Sequence, residues 1–143
     1  MSSAVSVARP AFTESLKSMS VKDAAKILVT DNPHAATDYF KTSMKPTLMT
    51  GFRPIVDSTI KVEGADKEWS NITGLYNSIP FINKPLESSL TDFVSARVID
   101  LMFLMVANEE EQIRSKYELR KTDMMKKVFT WEEGELKKRI QKN

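Results

Sequence analysis

With no cysteine and one histidine, this chain is left mainly with carboxylates, amines, guanidinium groups and hydroxyls for any chemistry. Thiolate nucleophiles, disulfides and cysteine metal sites are excluded outright. His34 follows Pro33 at the start of a helical pattern, where a side chain is expected to face solvent. No His-x-x-x-His or Glu-x-x-His spacing accompanies it, so a zinc site lacks its ligands. There is no nucleophile elbow and no glycine-rich phosphate loop. On these grounds no catalytic residue, metal ligand or cofactor is assigned.

Three constellations remain. Asp100 stands inside the run Val98 to Ala107, where its near neighbours are apolar. A carboxylate is costly to bury unless it is paired, and Arg97, three residues earlier, is the local partner. The expectation is an ion pair at the edge of an apolar face, with a polar anchor in an apolar pocket as the functional alternative. Glu109, Glu110 and Glu111 spread over a wide arc of one helical turn. Hard-cation sites usually draw oxygen ligands from a loop with varied spacing, so these three are expected to form a solvated face. Arg114 would be their surface partner, contributing little. Arg114, Arg120, Lys126 and Lys127 form a basic neighbourhood that suits an anion or the docking of the last helices. Methionine both fills irregular cores and lines adaptable grooves, and Met102, Met105, Met124 and Met125 would meet if the chain folds back. The candidate ligand-binding set is therefore Asp100, Arg97, Arg114, Met102 and Met105.

The elements that must position these groups all read as helices. Thr91 to about Tyr117 is apolar on nearly every side over Val98–Ala107, and such a helix has to be surrounded; it is the expected hub. A first helix spans about 2–18, with Val5, Ala8, Phe12, Leu16 and Met19 as its stripe and Pro10 inside it. Ser20 with Asp23 forms a capping box for a helix over Val21–Val29. Thr30 to Pro33 breaks the chain and restarts it with Ala36, Tyr39 and Phe40 on the next helix. Thr42 or Ser43 then caps another helix reaching about Val62, kinked rather than stopped by Pro54. A helix over about 65–77 turns Trp69, Ile72, Leu75 and Tyr76 inward. Two prolines make residues 78–85 the longest loop. A short helix at 122–129 precedes a terminal one capped by Thr130 and Glu133, whose apolar face of Trp131, Leu136 and Ile140 suggests loose docking.

The length of 143 residues suits one domain with a real core, and four glycines favour helix over a turn-rich β fold. The formal net charge of +2 is too small to imply nucleic acid. It is uneven: residues 1–113 hold 11 Lys/Arg against 14 Asp/Glu, and residues 114–143 hold 10 against 5. No signal-peptide pattern opens the chain, and the longest apolar run is well short of the roughly 20 residues a membrane span needs.

Several stretches resemble one bacterial family. They are Asp23–Leu28, Ala35–Phe40, Phe52–Asp57 and Tyr76-Asn77, then Glu109 to Arg114, Arg120, and Thr122 to Phe129. Their order and spacing are similar to the family catalogued as domain of unknown function 4197, over about residues 4–129. The family's Asn-Pro after Ile-Arg is replaced near Ser115-Lys116-Tyr117, and the tail from Thr130 is not part of the pattern. Members commonly carry a further N-terminal region, often behind an export or lipoprotein signal, so the resemblance implies an envelope or secreted setting. It implies an all-helical fold and supplies no activity.

The sequence is thus expected to give an all-α, single-domain bundle of about six or seven helices around the helix at about 91–117. Residues 1–129 would be the family-like helical domain and 130–143 a helical tail. The leading expectation for function is a non-enzymatic module that binds a protein partner or an apolar ligand. One alternative is a carboxylate-based enzyme with a site near Asp100 and Glu109–Glu111, with Arg114 holding an anion. Another is a membrane-surface adaptor acting through the basic tail.

Overall fold

Side-chain caps set several of the helix boundaries. In the computed structural model, which describes residues 3–142, the chain forms α1 (Ser3–Ser18), α2 (Val21–Leu28), α3 (Ala35–Glu63), α4 (Ala65–Asn77), α5 (Leu90–Ser115) and α6 (Asp123–Ile140). A 3-10 turn, Tyr117–Leu119, lies between the last two, and no strand occurs among the described residues. The first helix, expected from residue 2, is described only from Ser3. At α2 the Ser20 hydroxyl accepts from the Asp23 amide at 3.1 Å and the Asp23 carboxylate accepts from the Ser20 amide at 3.1 Å, a complete capping box. Thr122 caps α6 by accepting from the Met125 amide at 3.1 Å.

Two expected breaks are absent. The chain does not stop at Thr42 or Ser43; α3 runs through both and through Pro46 and Pro54. Their hydroxyls bond back to the carbonyls of Asp38 (2.9 Å) and Tyr39 (3.0 Å), so they satisfy themselves inside the helix instead of capping one. Nor does Thr130 start a helix, since α6 is continuous from Asp123 to Ile140. Its buried side passes through Glu132, with Leu136 half-buried one turn on, while Trp131 and Ile140 are exposed, so of the expected face only Leu136 docks.

The protein is a single all-α domain. Its internal contacts fall into two compact units, residues 1–11 with 45–101 and residues 12–44 with 102–143, and α1, α3 and α5 each contribute to both. The first unit buries Ala11, Leu48, Phe52, Ile60, Thr73, Ser95 and Ile99. There α1 meets α3 closely enough that a Cβ on Gly51 would fall inside van der Waals contact of Val7. The second unit buries Ser15, Thr37, Met44, Phe103, Arg120 and Glu132, and in it α2 packs against α6. The Phe12 and Phe40 rings lie 4.7 Å apart, and the Ser15 and Ser43 hydroxyls bond at 2.5 Å. The buried side of α1 thus carries Ala11 and Ser15, while Val5, Phe12 and Leu16 of the expected stripe stay exposed. Small side chains permit the closer approach.

Helix α5 feeds both cores, with Ser95 and Ile99 in the first and Phe103 in the second. This is a stripe at four-residue steps, not a full circumference. Leu101 in the first unit and Leu104 and Met105 in the second are exposed, so the expectation that this helix is covered on every side is not met.

Candidate functional site

The groups singled out by the sequence separate. Arg97 and Asp100 pair across one turn of α5, with Nη2 to Oδ2 at 3.6 Å. The Arg97 guanidinium also lies 5.6 Å from the centre of the Phe93 ring. Asp100 keeps 31% of its side chain exposed, so it stands at an edge instead of inside a pocket. Met102 is half-buried and Met105 is 70% exposed, both in the second unit. Arg114 lies in the last turn of α5, also in the second unit and apart from the Arg97–Asp100 pair.

The three glutamates do not form one face. Glu110 is the N-terminal cap of α3, supplied from α5: it accepts from the Ala36 amide (2.9 Å), the Thr37 amide (2.8 Å) and the Thr37 hydroxyl (2.7 Å). A helix start leaves amides without intrahelical partners and carries a positive dipole end, which a carboxylate satisfies on both counts. Glu111 stays exposed, its carboxylate 3.7 Å from Nε2 of His34. Glu109 faces solvent. His34, expected at the surface, is half-buried.

Arg114 is the centre of a buried junction. Its Nε donates to Glu110 (2.9 Å), its Nη1 to Glu132 (2.6 Å) and its Nη2 to the Ile27 carbonyl at the end of α2 (2.8 Å). Only 10% of the Arg114 side chain and 6% of the Glu132 side chain are exposed. Arg120 is fully buried beside it. It donates to the carbonyls of Ile113 (3.1 Å) and Arg114 (2.9 Å) and to the Glu133 carboxylate, with its guanidinium against the rings of Phe129 and Tyr117. Burial would raise the pKa of Glu110, but the Thr37 hydroxyl, the two α3 amides and Arg114 together hold it below the usual glutamate range. For Glu132 burial wins, and its carboxyl is pushed above that range in spite of Arg114 and Arg120. An open cleft of about 400 Å³ borders the junction, lined by Thr30 to Pro33, by Glu111, Arg114 and Ser115, and by Glu132, Glu133 and Leu136 of α6. Arg114, the cation that lines this cleft, has Nε, Nη1 and Nη2 all committed to protein partners. Among the described residues no group of three His, Asp or Glu side chains is placed to hold a metal ion.

A different surface lies in the first unit. Helix α4 buries Thr73 and half-buries Trp69, one turn apart. Trp69 stacks at 4.8 Å on Phe93, and its Nε1 donates to the Glu87 carbonyl at 2.9 Å. The Asn77 amide group clamps the far end of the following loop, donating to the Leu86 carbonyl (3.0 Å) and accepting from the Leu86 amide (2.8 Å). These bonds rotate the helix so that Ile72 (56%), Leu75 (73%) and Tyr76 (38%) face outward, contrary to the inward face expected for them. The exposed row continues through Ile79 to Phe81, which is 98% exposed and has a φ of 70°. A left-handed backbone is strained for a bulky residue. None of these outward residues was singled out as a site by type or spacing. The signal that could have found them is charge: between Glu68 and Glu87 there is no acidic residue and one basic residue, Lys84.

The fold and these two features define an all-helical protein with a buried ion-pair junction and an exposed apolar edge. The chain belongs to the family described as protein of unknown function (DUF4197), whose pattern matches residues 1–130. No curated protein and no solved structure matches it. No helix among the described residues is long and apolar enough to cross a membrane.

Proposed function

We propose that the protein is a non-enzymatic binding module that engages its target through the outward face of α4 and the loop after it. One observation carries this reading: Ile72, Leu75, Ile79 and Phe81 are each more than half exposed on consecutive turns. The helix is held in that rotation by the Trp69 and Asn77 hydrogen bonds. Contiguous apolar exposure rimmed by polar groups is the usual mark of an interaction site. The polar side chains give carboxylate chemistry no comparable support, because Glu110 and Glu132 are bound to α3 and Arg114, and Asp100 pairs with Arg97.

The test is a native mass-spectrometry and thermal-shift screen against lipids and cell extract, run on the wild type and on Leu75→Ser/Ile79→Ser. Because both residues are exposed, the double variant is expected to unfold within about 0.5 kcal/mol of the wild type. A component that stabilises the wild type and not the variant supports the reading. Equal responses, or no response from folded wild type, would remove it.

A further inference from the structure

Phe81 is the most exposed large apolar residue among those described, at 98%. It lies midway between Asn77 and Leu86, the two ends of the tied loop, and at that exposure it stands almost entirely clear of its neighbours. The loop is not slack: Asn77 ties its base to Leu86 twice, and Trp69 holds Glu87. A side chain is therefore presented to solvent, on left-handed backbone, by a base that is already ordered. Strain of this kind persists only where the surroundings impose it, and it gathers at functional positions.

We infer that this edge docks on a phospholipid bilayer, with Phe81 and Ile79 entering the acyl boundary; the inference rests on α4 and its loop being the binding surface. Three features favour a bilayer over a protein pocket. Phe81 projects almost entirely clear of its neighbours with Ile79 half exposed beside it in sequence, which suits a deformable apolar phase. The stretch from Trp69 to Leu86 carries no carboxylate to be repelled by lipid phosphates, in a chain that is 28% charged. Lys84 stands three residues after the tip, where its stem can lie along the apolar layer and its ammonium can reach a phosphate.

The experiment is flotation of the full chain with vesicles of mixed phosphatidylcholine and phosphatidylglycerol, comparing wild type, Phe81→Asp, Phe81→Gly and the full-length variant Lys137→Gln/Lys138→Gln/Arg139→Gln, which changes exposed residues at the end of α6. The wild type is expected to float. Both Phe81 variants should lose about tenfold or more in partitioning, the scale set by burying one phenylalanine. Phe81→Asp should keep its melting temperature and Phe81→Gly should keep or raise it, since glycine accepts the left-handed backbone. In Phe81→Trp, emission should move to shorter wavelength on binding, above the background of Trp69 and Trp131, and be quenched by brominated acyl chains. A wild type that stays with the buffer overturns the bilayer assignment, while a response of the α4 face to a component of cell extract would keep the broader reading and point to a protein. Flotation that survives both Phe81 variants also overturns it, and its loss in the α6 variant, with an unchanged melting temperature, would then assign the contact to the basic end of α6.

Discussion

Glu110 is a residue whose role is invisible in its neighbours. It lies between two glutamates, yet it alone closes the start of α3 and one side of Arg114. Replacing it with Gln keeps the shape but removes the charge that both the helix start and the buried guanidinium face. Glu110→Gln is expected to cost about 3 kcal/mol in urea unfolding, the scale for breaking a buried pair, whereas Glu109→Gln should cost less than about 0.5 kcal/mol. Acid titration separates Glu110 from Glu132. The folded pKa of Glu110 is lowered, so its stabilisation is present above the ordinary glutamate value and is lost as pH falls through the lowered one. That of Glu132 is raised, so its ionised form costs stability at neutral pH, and the cost is relieved as pH falls through the raised value. Urea midpoints measured from neutral to acidic pH should therefore diverge. The advantage of wild type over Glu110→Gln shrinks on acidification, while wild type gains relative to Glu132→Gln.

At the scale of elements, α1 and α3 approach each other closely at Gly51. Gly51 lies in the interior of α3, where alanine would ordinarily gain about 1 kcal/mol. Here the added Cβ meets Val7, so Gly51→Ala should instead cost about 1–2 kcal/mol through overpacking. Val7→Ala on the same background should recover most of that, and a double-mutant cycle by thermal unfolding should report a coupling of about 1 kcal/mol. Helix α4 teaches the complementary lesson. Its limits, 65 and 77, were legible from composition and turn signals. Its rotation was not, because Trp69 and Asn77 set it through bonds to Glu87 and Leu86, well removed in sequence. Periodicity marked an apolar stripe on α4 but could not say whether core or solvent would face it.

For the whole molecule, the all-helical class and most helix starts follow from local chemistry that a single sequence displays: the Ser20–Asp23 box, the break at Thr30–Pro33 and the cap at Thr122. The buried junction does not, because its partners are contributed by distant elements; Glu110 reaches Thr37, and Arg114 reaches both Ile27 and Glu132. The family-like motif Glu109 to Phe129 contains the two arginines but not Glu132 or Glu133. A chain ending at Thr130, the limit of the family match, keeps Arg114 and Arg120 and loses both carboxylates from α6. It should be destabilised by about 4 kcal/mol or more, a large share of what a small domain has. Far-ultraviolet circular dichroism with urea titration would measure this, and restoring residues 131–136 should recover most of it.

The continuity of α6 also bears on when the protein can fold. Synthesis delivers Arg114 and Arg120 before the glutamates that neutralise them, so a nascent chain that has not reached Glu133 carries two guanidinium groups it cannot bury. The second unit has to wait on the ribosome for its last charges, and chains arrested before that point would present an unfinished end of α5 to chaperones and proteases.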